Sequence, residues 1–241
     1  MTKQSFKKYF LILTAGCFLT TSTWSQTAHD LFAQALNKSK NQDYKGAIQD
    51  FTYAIQMNPA YFDAYVNRGN AKLMVEDYVG SIADFNKVLE LNPGFYMAYF
   101  YRGQAYLKQE KFLPAMKDFN TVIELDTTFN TAYYYRGRTK AALEDYRGAI
   151  LDYNKAIQLA PLYLEAYIYK GIADYQLNNL EKAIKSYNQA IEINPKTAEA
   201  FYLRGVVKYK QTKKDEACLD WSRAGELGNI EAYDLIKQYC K

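Results

Sequence analysis

The chain has 241 residues, of which 49% are hydrophobic and 16% aromatic, and carries a formal charge of +4. Lys3, Lys7 and Lys8 supply most of that excess. Without them 27 basic residues face 26 acidic ones, a balance that excludes the basic stripe a nucleic-acid partner requires. One histidine, His29, leaves no second imidazole for a metal or acid–base site, and no phosphate loop, serine elbow or paired-cysteine spacing accompanies it. The expectation is a protein without catalytic residues, metal or cofactor.

Residues 1–25 have the anatomy of a secretory signal peptide. A cationic start is followed by an apolar run from Tyr9 to Leu19 and a polar stretch with small residues at Thr23 and Ser25, ahead of Gln26. The run is roughly half the ~20 apolar residues a membrane-spanning helix needs. Thr14-Ala15-Gly16-Cys17 is similar to a bacterial lipobox, with Thr14 where leucine is preferred, so lipidation at Cys17 stays open beside plain export. Either way the chain is expected to be exported, periplasmic or secreted, with no transmembrane anchor after cleavage.

From residue 28 onward the sequence is periodic. Arg68-Gly69, Arg102-Gly103, Arg136-Gly137, Lys170-Gly171 and Arg204-Gly205 recur at a spacing of 34, dividing the chain into units 28–61, 62–95, 96–129, 130–163, 164–197 and 198–231. The fourth position of each unit is large: Leu31, Tyr65, Tyr99, Tyr133, Tyr167 or Phe201. Glycine inside a helix costs about 1 kcal/mol against alanine, so five of them need a packing reason, and close approach of a neighbouring helix backbone would supply one. In the second half of each unit a small residue (Ala47 in the first) is followed four positions later by an aromatic one. These are Phe51, Phe85, Phe119, Tyr153, Tyr187 and Trp221, with a small or β-branched residue three further on. Offsets of i, i+4 and i+7 put all three on one helical face. Pro59, Pro93, Pro161 and Pro195 close four of the units.

This pattern resembles the tetratricopeptide repeat (TPR) family over residues 28–231. The resemblance implies an all-α fold over 26–241, a right-handed superhelical α-solenoid of antiparallel helix pairs whose concave groove is lined by the first helices. The family's usual tyrosine three residues after the glycine is kept only as Tyr106. Lys38, Lys72, Lys140, Asp174 and Lys208 stand there in the other units.

The arginine of each Arg-Gly replaces an apolar residue common in the family, and its charge needs a partner. An aspartate lies sixteen residues on, which predicts ion pairs Arg68–Asp84, Arg102–Asp118, Arg136–Asp152 and Arg204–Asp220 within the repeats. The alternative is pairing to the next repeat, Asp84 to Arg102 and so on. The fifth unit has Ser186 at the acid's place and Asp174 on the first helix, four residues after Lys170, which fits pairing within the unit.

After Gly228-Asn229, the amphipathic stretch 230–240 reads as a capping helix for the last exposed face. Cys218 and Cys240 are each eleven residues from Asn229, level with one another across an antiparallel hairpin, so a disulfide or two buried thiols are both compatible with the spacing.

By resemblance to the family, groove positions fall one, five and eight or nine residues after the conserved large residue. The first row is Phe32, Val66, Phe100, Tyr134, Ile168 and Tyr202. Asn67, Tyr101, Tyr135 and Tyr169 stand beside it, and Asn70, Gln104, Arg138 and Lys108 come next. The Lys/Asn/Arg constellation by which some TPR modules clamp a terminal carboxylate is not reproduced. A tyrosine-rich groove with few charges suits an apolar peptide or a loop of another protein. A protein or peptide partner is therefore expected, with a lipid or cell-wall ligand in the same groove as the alternative, and a chain that is monomeric or weakly self-associating.

Overall fold

The computed structural model describes residues 26–240, so the leader expected over 1–25, Cys17 included, lies outside the described residues. Among those residues there are thirteen helices and no strand. They form six pairs: α1 (Ala28–Lys40) with α2 (Tyr44–Met57), α3 (Phe62–Met74) with α4 (Tyr78–Leu91), α5 (Tyr96–Lys108) with α6 (Phe112–Leu125), α7 (Asn130–Ala142) with α8 (Tyr146–Leu159), α9 (Leu164–Gln176) with α10 (Leu180–Ile193), and α11 (Ala198–Lys210) with α12 (Lys214–Glu226). A last helix, α13 (Glu231–Tyr239), follows. Each helix packs on the next in the chain. Successive first helices also touch one another, and no contact of comparable extent joins successive second helices. A stack crowded on one side curves toward that side, so the odd-numbered helices line the inner wall of a solenoid.

The turns follow from local chemistry. Within each pair the chain reverses through one left-handed residue, Gln42, Glu76, Glu110, Glu144, Asn178 or Thr212, with φ between 57° and 64°. None is glycine, so each position carries strain of about 1–2 kcal/mol that the flanking helices must override. Bonds such as Asp43 N–H to the Lys38 carbonyl, 2.9 Å, hold the reversal. Asp43, Asp77 and Asp145 then cap the second helices by accepting from the N–H of Gly46, Gly80 and Gly148. Between pairs, the side chains of Asn58, Asn92, Asp126 and Asn194 accept from the backbone N–H two residues on. Asp126 keeps that turn in the third unit, where Thr127 replaces the proline.

The second-helix aromatic of every repeat is buried to 1% exposure or less. These rings account for the helical glycines. A Cβ on Gly69 would lie 2.9 Å from the Phe85 ring, on Gly103 2.8 Å from Phe119, on Gly137 2.7 Å from Tyr153, on Gly171 2.5 Å from Tyr187, and on Gly205 2.6 Å from Trp221. The close neighbour is thus a ring of the partner helix. The expected backbone approach comes after the ring, with the Ala149 and Ala217 carbonyl oxygens 3.2 Å from the Cβ positions of Gly137 and Gly205.

Helix α13 lies on α12, starting where the Asn229 side chain accepts from Ala232 N–H. Tyr233 donates to the Gly225 carbonyl, and Tyr239 stacks against Tyr209 and Trp221 with centroids 4.6 and 6.1 Å away. Cys218 and Cys240 are joined as a disulfide, which fastens the far end of the lid.

Candidate functional site

Most charges on the first helices serve the scaffold. Arg68, Arg102, Arg136 and Arg204 each grip the aspartate of their own repeat through two N–H groups, with Nη2–Oδ1 distances of 2.6 to 2.7 Å. The link to the preceding repeat runs through a neutral group instead. The Nη1 of each arginine donates to Thr52, Asn86, Asn120 or Asn188 on the previous second helix. The guanidinium also rests 5.3 to 5.5 Å from the aromatic ring three residues earlier, at Tyr65, Tyr99, Tyr133 or Phe201. Each arginine therefore ties two repeats together.

The lysines that replace the family's tyrosine complete these sites. Lys72, Lys140 and Lys208 bond the second oxygen of Asp84, Asp152 and Asp220, and Lys38 bonds Asp50 in the first repeat, which has no arginine at that place. In the third repeat Tyr106 stands at that place, and Asp118 pairs with Arg102 without a lysine. In the fifth, Lys170 reaches Ser186 at 3.2 Å and Asp174 at 3.7 Å. Sequence reasoning took the lysines as departures from the family. The signal for them in the sequence is a constant spacing, each lysine standing twelve residues before its aspartate.

On the inner wall, Phe100, Tyr134 and Ile168 are at most 6% exposed. They belong to the core and offer a ligand almost no surface, which corrects the expectation that this row lines the groove in every unit. Phe32, Val66 and Tyr202 are half-buried. The row beside them is half-buried. Tyr101 stacks on Phe85 and Tyr135 on Phe119, and Tyr169 meets Tyr153 at a tilt, each against the ring of the preceding repeat at 5.7, 5.8 and 6.4 Å. Asn67 turns its amide back to the Asp63 carbonyl, and Asn70 keeps a buried Oδ1 with no partner.

A cleft of about 550 Å³ runs over repeats two to four on this wall. It brings together four of the expected groove residues, Gln104, Lys108, Tyr135 and Arg138. Met74 and Leu107 give it apolar lining, Tyr78 and Phe112 stand at the turns, and Glu76 and Glu110 also line it. Phe32, Val66, Asn67, Asn70, Tyr169 and Tyr202 fall outside it. Tyr202 borders a separate shallow cleft beside the lid with Glu199 and Glu231. His29 is exposed on α1, its Nδ1 3.5 Å from the Tyr61 hydroxyl.

The tyrosines around the groove also set a pH dependence. Burial raises the phenols of Tyr134, Tyr153, Tyr163 and Tyr187 well above their ordinary value of 10.0, with Arg138 opposing the shift for the first three. Because the folded-state values are raised, their contribution to stability is present in full below about pH 10 and lost as pH climbs through the raised range. An alkaline phenolate titration is expected to show an early phase from exposed rings and a late one coincident with loss of helical circular dichroism. A single phase near pH 10 with the helices intact would contradict that burial.

A curved stack of helix pairs, with its charges committed to register and an open cleft on its inner wall, defines a repeat scaffold of the protein-interaction class. Family models described as tetratricopeptide repeat match residues 32–94, 98–129 and 131–161, and one described as TPR repeat matches 171–211. The chain belongs to the TPR family. Among curated proteins no sequence matches it. Of solved structures, MamA is 27% identical with a TM-score of 0.62, the match covering 68% of this chain and 96% of MamA. YrrB, described as a TPR protein with an unusual peptide-binding site, is 23% identical with a TM-score of 0.62, over 78% of this chain and 97% of YrrB. The APC/C hetero-tetramer Cut9–Hcn1 superposes with a TM-score of 0.74 at 16% identity, over 90% of this chain and 43% of its own. The last two likenesses establish the fold alone. Among the described residues no helix is long and apolar enough to cross a membrane.

Proposed function

We propose that this chain is an exported, non-enzymatic scaffold that holds an extended segment of another protein in the inner groove of repeats two to four. The observation that carries this reading is the mixed character of the cleft of about 550 Å³, with apolar side chains, two cations and an amide presented together on three successive first helices. Peptide recognition needs that mixture of anchoring and orientation. Export is supported by the leader-like sequence of residues 1–25 and by the Cys218–Cys240 bond. A carrier of lipid or cell-wall ligand has less to stand on, because Phe100, Tyr134 and Ile168 are spent on the core and the cleft carries four charged side chains.

The test is capture from envelope extract with the intact mature protein and two variants. Met74→Glu places a charge at an exposed residue that lines the cleft, and Leu151→Glu does so at a comparably exposed residue outside it. A stoichiometric protein lost with Met74→Glu and retained with Leu151→Glu is expected. Equal capture by both variants, or a bound small molecule in place of a protein, would overturn the reading.

A further inference from the structure

We propose that Arg138 is the anchor for an acidic side chain on the segment that occupies this groove, an inference that rests on the groove reading above. Arg138 differs from the other arginines of the first helices. Those before the glycines each hold an aspartate. Arg138 follows Arg136 by two residues, which turns it by roughly 200° around the helix and onto the inner wall. There it is half-buried, and among the described residues no carboxylate lies within ion-pair reach of it and none of its N–H groups has a protein acceptor.

Three phenol rings take the place of an acid. The guanidinium carbon is 4.8 Å from the centre of the Tyr169 ring and 5.9 Å from those of Tyr134 and Tyr135. The Tyr134 ring stands at 78° to Tyr135 and 79° to Tyr169, so the three rings restrain the guanidinium from different sides, and its side-chain N–H groups keep no protein acceptor. A planar edge with parallel donors matches a carboxylate in bidentate fashion. Partial removal from water makes that charge-assisted pair stronger than the same pair at an open surface.

The surroundings choose among anions. Lys108 is the other cation of the cleft and has no ion pair of its own, so the pair carries a charge of +2. Glu76 and Glu110 border the same cleft and repel a densely charged ligand such as a phosphate or an acidic run. One carboxylate flanked by apolar side chains satisfies both, since Met74 and Leu107 lie in the same cleft. The inner wall continues past Arg138 onto α9, where Tyr169 flanks it. Arg138 stands on the last of the three first helices that line the cleft, and with the wall continuing beyond it a strand can run past and offer a side chain rather than a chain end.

Short random peptides displayed on phage and panned on the intact mature protein supply the probe, and selected peptides are resynthesised for calorimetry. The expected peptides share one Asp or Glu among apolar residues. Changing that acid to its amide, or Arg138→Gln in the protein, is expected to weaken binding by about 10- to 100-fold, and the two changes together by no more than either alone. Arg138→Lys is expected to recover only part of the loss, because it keeps the charge without the planar fork. Amidation of the peptide's C-terminus and Arg147→Gln, an exposed cation of α8, are expected to leave affinity unchanged. Peptides that Met74→Glu abolishes but Arg138→Gln leaves intact would overturn this inference while the groove reading stands. Loss on amidation would overturn it in favour of a terminal carboxylate. Peptides indifferent to Met74→Glu would remove both.

Discussion

Replacing Asp152 by alanine is expected to destabilise the array by about 3–5 kcal/mol, measured by denaturant unfolding. Asp152 is 4% exposed and bonds Arg136 at 2.6 Å and Lys140 at 2.7 Å. Its removal strands two cations whose side chains are 20% and 23% exposed, too enclosed for water to replace the carboxylate fully. The same substitution at Asp84 or Asp220 should have a similar effect, for each also holds an arginine and a lysine. Asp118→Ala should be the mildest of the four. Tyr106 supplies no second cation there, and burial pushes the Asp118 carboxyl up with Arg102 opposing. A loss below about 1 kcal/mol at Asp152 would show that these sites are solvated like ordinary surface pairs, and a loss at Asp118 as large as at Asp152 would show that the lysine adds nothing to the site.

Those sites mark how far the sequence could be read. The period of 34 fixes which residues face a partner helix, because every unit repeats the same helix lengths and the same turn. Pairing within the repeat could be inferred from one compensation, in which Ser186 gives up the acid and Asp174 takes it on. The third member of each site escaped, since Lys72, Lys140 and Lys208 lie beside the aspartate only once the first and second helices have docked. The glycines were rightly read as points of contact, yet spacing along one helix does not say whether a ring or a backbone comes close.

The groove was legible in direction and not in depth. Helical offsets place Phe100, Tyr134 and Ile168 on the inner side correctly. How much of that side remains open depends on how tightly successive first helices crowd, which is a property of curvature. Arg138 was found as one groove residue among many. That it alone of the first-helix arginines lacks a carboxylate emerges only after the acids have been assigned to their partners.

Reduction of Cys218–Cys240, or Cys240→Ser, is expected to weaken the last repeat by about 3 kcal/mol, because a bridge across a separation of 22 residues removes conformational entropy from the unfolded chain. The effect should be local. In a linear array each repeat contacts only its neighbours, so α13 and α12 lose protection first and the loss fades toward α1. Hydrogen exchange on the oxidised and reduced protein reads this directly. Faster exchange is expected in α13 and around Trp221, whose ring lies under Tyr239, with amides of α3 and α4 unchanged. If α13 exchanges at the same rate in both states, packing of Tyr239, Tyr233 and Ala232 holds the lid unaided and the bridge is incidental to it. Two reactive thiols in the unfolded, unreduced protein would exclude the bridge altogether. The lid would then depend on apolar contact and the Tyr233–Gly225 hydrogen bond, and the oxidising compartment would lose one of its two supports.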